Sequence, residues 1–433
     1  MLTPARAKPT TALILNRTFN LQIPTFMNKA VYLAPVVIII ACVGVYMAIN
    51  NSGSPKTTTP TTSGGNPTPQ GGTPTPTTPP KTPPSPTPPT PTKPAEVVKY
   101  KTATCMDTQG TGMKAFSILI PSNWTFDGHI TWLLDNPIMP ATSRFTVRSP
   151  DGKIQLEGLP NQSLFWTTNQ LILYANPPGS RYFGALVMQP IGAINALKQL
   201  VVPVYRGDMA GLKYVKEEGL PELAKLFPQG TDPTSGMIYS AEAGRVRVEY
   251  TLAGIVMEDE IYCVIQSIKL PLGQVTNDNW FVSYVASFRA PKGELDKNAK
   301  TLQTIAYSAS IDVNWLNKYN QLVYNLIQQQ IRQIKSIGQL SQMLSQTSDE
   351  ISQDNLKSWE DRQAINDKIV DDFTHGILEV DKYYDPIAEK TVELPSGYTN
   401  AWTNSLGEYI LSDSPSYNPN IGSNLNWQQM STK

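Results

Sequence analysis
The 433 residues contain two histidines, His129 and His375, and three cysteines, Cys42, Cys105 and Cys263, so acid–base, thiol or metal chemistry has few places to sit. Asp367, Asp371 and His375 stand four apart, with Asp372 adjacent, and on a helix three oxygen or nitrogen ligands then share one face. That row is the candidate metal site. The preferred reading is a solvated acidic face near a helix end, where histidine complements the dipole, so no metal and no cofactor are assigned. His129, in Asp127-Gly128-His129, has the chemistry of a general base, but no nucleophile motif accompanies it and a structural role is expected. The sequence holds no P-loop, GxSxG elbow, HExxH or dinucleotide fingerprint. No catalytic residue is therefore assigned, and a protein without catalysis of its own is the expectation.

Cys105 and Cys263 are an even pair, and in an oxidising compartment they form a candidate disulfide. It would close a loop of about 158 residues and stabilise by several kcal/mol in the chain-entropy picture. Two buried free thiols are the alternative. Cys42 ends Ile39-Ile40-Ala41-Cys42, a run like the lipobox of bacterial lipoproteins, which makes it a candidate lipidation site. Against that, Val43 to Ile49 stay apolar where a lipoprotein turns polar. Asn123-Trp124-Thr125 and Asn161-Gln162-Ser163 match the glycosylation acceptor triplet, a pattern common by chance.

The elements around these residues fall into distinct segments. Residues 30–49, AVYLAPVVIIIACVGVYMAI, carry no charge and as a helix span roughly 30 Å, the hydrocarbon thickness of a bilayer. A transmembrane helix is predicted. Arg17 and Lys29 precede it closely and Lys56 alone follows, so the positive-inside rule makes residues 1–29 a cytoplasmic arm and puts the rest outside. A cleaved signal peptide counted from Met27 is the alternative, with Met27 then the true start. Residues 50–95 form a stalk: between Asn51 and Ala95, 15 of 45 residues are proline and 14 are threonine, which blocks helix and sheet alike. Fully extended at about 3.1 Å per residue it reaches on the order of 140 Å. Residues 1–95 hold seven cations and no acid, leaving 28 basic against 35 acidic side chains beyond them. An acidic main body argues against nucleic-acid binding.

Residues 96–313 read as α+β: an antiparallel sheet with covering helices. Ala115 to Ile120 alternates, Phe145 to Leu156 is a hairpin through Pro150-Asp151-Gly152, and strands are expected at 237–239, 245–252, 261–270 and 280–288. Helices are expected at 191–202, 209–216, 221–227 and 294–308. From Leu316 to Leu344 apolar residues recur every three or four positions, predicting one helix of roughly thirty residues, and Ser348 opens a second. Residues 314–376 are thus a helical hairpin, followed by a small β-rich cap over 377–433 with Trp402 and Trp427.

The string Phe116-Ser117-Ile118-Leu119-Ile120-Pro121-Ser122-Asn123-Trp124 resembles the opening strand of PsbP/Mog1/DcrB-like domains. Trp280 to Val285, leading to a helix that reaches Ile305-Ala306-Tyr307-Ser308, is similar to that family's last strand and helix. The resemblance spans about residues 100–313. It implies an accessory, non-enzymatic domain and carries no catalytic residue across. The expectation is a single-pass, membrane-anchored extracytoplasmic binding or scaffolding protein of the envelope, with the bilayer and an envelope protein or cell-wall component as partners. The alternatives are a surface hydrolase acting near Asp371 and His375, and an assembly factor acting through the helical hairpin.

Overall fold
A computed structural model describes residues 97–225, 227–233, 235–329, 331–347 and 380–432. The expected arm, transmembrane helix and stalk, the second helix of the hairpin, and the candidates Cys42, Asp367, Asp371 and His375 lie outside the described residues. Among the described residues no helix is long and apolar enough to cross a membrane.

The fold is mixed α and β, with mostly antiparallel sheets and few helices. It opens with β1 (Val97–Met106), β2 (Lys114–Pro121), β3 (Thr125–Trp132), β4 (Ala141–Arg148), β5 (Gln155–Gly158) and β6 (Gln162–Thr167). A short α1 (Gln170–Ala175) leads to β7 (Arg181–Tyr182) and β8 (Ala185–Val187). The next stretch is helical: α2 (Ala193–Ala196), a π turn (Leu197–Val201) and α3 (Val202–Arg206). After β9 (Ala210–Gly219), α4 (Pro221–Ala224) and β10 (Gly230–Thr231) come three long strands, β11 (Ile238–Leu252), β12 (Ile255–Leu272) and β13 (Val275–Pro291). Then follow α5 (Ala299–Tyr307), β14 (Ser310–Ile311), α6 (Val313–Gln328) and α7 (Ile337–Ser345). The C-terminal part adds β15 (Val380–Asp385), β16 (Lys390–Pro395), β17 (Asn400–Thr403), β18 (Glu408–Ser412), β19 (Gln428–Gln429) and β20 (Ser431–Thr432).

An eleven-stranded sheet runs β10-β11-β12-β13-β5-β4-β3, with β9 also on β11 and β6 on β13. Its long hairpin closes through Ala253 and Gly254, both at positive φ, the backbone a two-residue turn between right-twisted strands requires. Because side chains alternate along a strand, β12 feeds two cores at once. Ile261, Cys263 and Ile265 face the helical stretch 193–206, while Tyr262 and Val264 face the core shared with β2, β3, α5 and α6. The strand β13 changes partner midway, from β6 to β5. An extra residue there forms a bulge, with Tyr284 at φ 53. A second sheet, β14-β2-β1-β18-β17-β19, and a three-stranded one, β16-β15-β20, complete the architecture.

Three expectations meet a different outcome. The helix expected over 209–216 is the edge strand β9: Tyr214 and Val215 suit a strand, β11 offers an open edge, and Lys213 bridges to Glu249 across the pair. The thirty-residue helix is broken into α6 and α7. Ile334 leaves the helical path to bury itself and to donate its backbone N–H to Leu134 O, and Ser336 then caps α7 by accepting from Gln339 N. The C-terminal strands are not a separate cap, because β18 pairs along β1 from Val97 to Lys101. The candidate Cys105–Cys263 bridge is absent: both residues are free thiols buried in different cores, the alternative named for them.

Candidate functional site
The densest polar chemistry in the described residues sits where α3 meets the long sheet. The helical stretch lies flat on β11 because Ala193, Ala196, Leu197, Val201 and Val202 present one apolar face. Its start presses on Gly244, where a Cβ would come within 3.2 Å of both Ala193 and Ile194. The π turn adds a residue to one turn, and Val202 and Arg206, four apart, follow onto the buried face. Arg206 is therefore driven into the sheet and must find counter-charge there.

It finds Asp259 on β12 and Glu157 on β5. Arg206 Nε donates to Asp259 Oδ2 at 2.6 Å, and Nη2 donates to Glu157 Oε2 at 3.1 Å and to Ser287 Oγ at 2.8 Å. Ser287 Oγ donates to Asp259 Oδ1 at 2.6 Å, and Tyr250 donates to Oδ2 at 3.0 Å. Arg144 closes the network on Glu157 Oε1 at 2.7 Å while its guanidinium lies over the Tyr205 ring. Burial alone would lower the Arg206 affinity for its proton, but Asp259, Tyr250 and Glu157 outweigh it and hold the guanidinium firmly charged. Burial, reinforced by Asp259, pushes the Tyr250 phenol up, so it stays protonated as a donor.

The neighbouring residue Glu260 points to the opposite face and repeats the pattern. Arg245 Nη1 lies 2.9 Å from Glu260 Oε1 and 3.1 Å from the Tyr262 hydroxyl, and Arg245 Nη2 donates to Glu218 at 2.8 Å. Arg247 reaches Glu260 Oε2 at 3.3 Å. Adjacent acids on one strand thus anchor an arginine on each face. The chemistry these clusters permit is narrow. Ser287, which donates to Asp259 and accepts from Arg206, is 1% exposed, so its hydroxyl is neither free nor reachable as a nucleophile. The Arg206 pairs lock helix to sheet, and the Arg245 pairs tie β9, β11 and β12 to one another.

On the same face as Arg206, toward the β3 edge, the polar side chains come to the surface. Arg148, Gln155 and Arg289 stand in one row across β4, β5 and β13, with Arg144 and Glu157 beside them. His129 falls on the outward face of β3, its cross-strand neighbour Arg144. The structure brings it to this polar face without a nucleophile or a carboxylate bonded to it among the described residues. Sequence reasoning missed Arg206, Asp259 and Glu157 as a unit, since they come from 49 to 102 positions apart. The available signal was the acidic run Glu258-Asp259-Glu260 between the apolar stretches Ile255–Met257 and Ile261–Ile265.

The thiols are inert by environment. Burial, with Asp107 and Asp127 adding to it, pushes Cys105 up to about 12, and burial pushes Cys263 up as well. Of the glycosylation triplets, Asn123 is exposed in the turn before β3, whereas Asn161 is buried.

No protein-family profile matches the chain, and no curated protein matches it. Among solved structures it is similar to LpqN, involved in cell envelope biogenesis of Mycobacterium tuberculosis. The identity is 8% and the TM-score 0.17, over 49% of this chain and 91% of that chain. A likeness that low carries no argument about fold or role.

Proposed function
We propose that the chain is a membrane-anchored binding or scaffolding protein of the cell envelope, held out on its Thr/Pro stalk with the folded body on the extracytoplasmic side. The observation that carries this reading is the junction. The proline tract ends at Ala95, and the first strand begins at Val97, where β18 pairs with it as far as Lys101 and β2 joins on the other side from Tyr100 onward. A pull on the tether therefore meets β18 first and is shared with β2 from Tyr100, inside the sheet. The resemblance of residues 100–313 to PsbP/Mog1/DcrB-like domains suits the same accessory role, and the uncharged run 30–49 supplies the partner bilayer. The sealed Arg206 and Arg245 clusters fit a body built for shape. Alkaline carbonate extraction of membranes tests the anchor: the full chain stays in the pellet and a chain lacking 30–49 is released. Release of the full chain into the supernatant contradicts the proposal.

A further inference from the structure
Arg148 Nε donates to Gln155 Oε1 at 3.0 Å, and Arg289 Nη2 donates to the same oxygen at 2.7 Å. Two guanidiniums converge on one neutral acceptor. Gln155 itself is 4% exposed and oriented by its Nε2, which donates to Glu157 Oε2 at 3.3 Å, so its oxygen is aimed at the arginines by a second contact. Among the described residues neither Arg148 nor Arg289 is in an ion pair, and Arg289 Nε is buried without a hydrogen-bond partner. The only other acceptor given to Arg289 among the described residues is Gly152 O at 3.3 Å.

Three carboxylates nearby, those of Asp259, Glu157 and Asp151, are committed elsewhere, while Asp127 is exposed to solvent. Asp259 stands directly opposite Arg289 on β12 but is bonded by Arg206, Tyr250 and Ser287. Glu157 is bonded by Arg144 and Arg206, and Asp151 at the hairpin turn by Ser149 and Lys153. Asp127 lies on the outer strand β3 opposite Thr146. Four guanidiniums, of Arg144, Arg148, Arg206 and Arg289, therefore face two buried carboxylates, those of Glu157 and Asp259. The surplus charge is concentrated in the row that Gln155 spaces.

We propose that Arg148 and Arg289 form an oxyanion site, taking a phosphate or carboxylate group that bridges the two guanidiniums beside the turn of the β4–β5 hairpin. Arg148 is exposed and gives access from solvent, while Arg289 and Gln155 are fixed by the sheet. Planar guanidinium forks match the oxygen spacing of either group. The site gives the binding role proposed above a ligand class and rests on that role only for its place in the envelope.

The test uses the full chain in nonionic detergent, with thermal unfolding followed in inorganic phosphate, in acetate, and in chloride at matched ionic strength. Phosphate or acetate at well above its dissociation constant raises the wild-type melting temperature by about 2–4 °C over chloride, and the more effective ion identifies the chemistry. The exposed substitution Arg148→Gln abolishes this gain and, in chloride, leaves the melting temperature equal or higher because a like-charge neighbour is gone. Isothermal titration with phosphate shows the same loss. An equal gain in Arg148→Gln, no gain in either protein, or a lowered melting temperature of Arg148→Gln in chloride overturns the site. Each result is independent of where the chain resides, so failure of the anchor and failure of the site are told apart.

Discussion
Arg206 and Arg148 both serve the same face of the long sheet, and both reach toward the strand row that contains Asp259, yet their surroundings differ. Arg206 ends on two carboxylates and a serine, all sealed from water. Arg148 ends on a neutral amide and keeps the rest of its guanidinium at the surface. A cation that is fully neutralised inside the protein has its interaction energy committed to the fold. One left on a neutral partner keeps its charge available to something outside. The comparison separates residues that hold the body together from residues with capacity to bind, although all are arginines on β-rich scaffolding.

The largest effect is expected at the sealed end of the comparison. Asp259→Ala leaves Arg206 buried without its main counter-charge and lowers unfolding free energy by about 3–5 kcal/mol in urea denaturation. Adding Arg206→Met to it recovers much of that loss, since the uncompensated charge is then removed. A loss well under 1 kcal/mol for the single substitution breaks the distinction.

A second sealed carboxylate sharpens it. Asp107 is 0% exposed and takes both indole N–H groups of Trp132 and Trp315 at 2.9 Å, clipping α6 to the start of the fold. Trp315→Phe removes one charge-assisted bond and costs about 1.5–3 kcal/mol by the same measurement.

Glu218 is a smaller case, at the rim of the Arg245 cluster. Burial pushes its carboxyl up, but hydrogen bonds from Lys216 and Arg245 outweigh this and hold it below the ordinary carboxylate value. A depressed folded value means the unfolded chain binds the proton more readily. The stability Glu218 contributes is therefore present above the unfolded carboxylate value of about 4.3 and is lost as pH falls through its lower folded value. Glu218→Gln flattens that acid limb in a stability profile from pH 7 to pH 3, and an unchanged limb contradicts the assignment.

The thiols leave stability alone and test burial itself. Cys105 and Cys263 stay protonated and unreactive toward a disulfide reagent at pH 8 in the native protein. Both react after denaturation without reductant; a non-reduced sample lacking both thiols restores the candidate bridge.

Much of the sheet was legible because its strands are long and alternate: Ala115 to Ile120, Arg245 to Leu252 and Trp280 to Phe288 each fall within an observed strand. The Pro150-Asp151-Gly152 turn was legible because Gly152 takes φ 69, which its lack of a side chain permits. The strand β9 was not, since Met209, Leu212 and Val215 are spaced like a helix face and only the open edge of β11 decides otherwise. The helix break at 329–336 had one readable cue, the Ser336-x-x-Gln339 cap, overridden in the reading by the continuing apolar period. The candidate site was illegible for a different reason. Arg148, Gln155 and Arg289 meet by strand register alone, and no local pattern encodes which residues β13 places opposite β5.

The most direct test of the central claim is topological. Ser416→Cys puts a thiol at an exposed position of the folded body, where Cys105 and Cys263 are too buried to compete. A membrane-impermeant maleimide applied to intact cells is predicted to label Cys-substituted full chain as completely as it does after permeabilisation. Labelling that appears only once the membrane is opened contradicts the account.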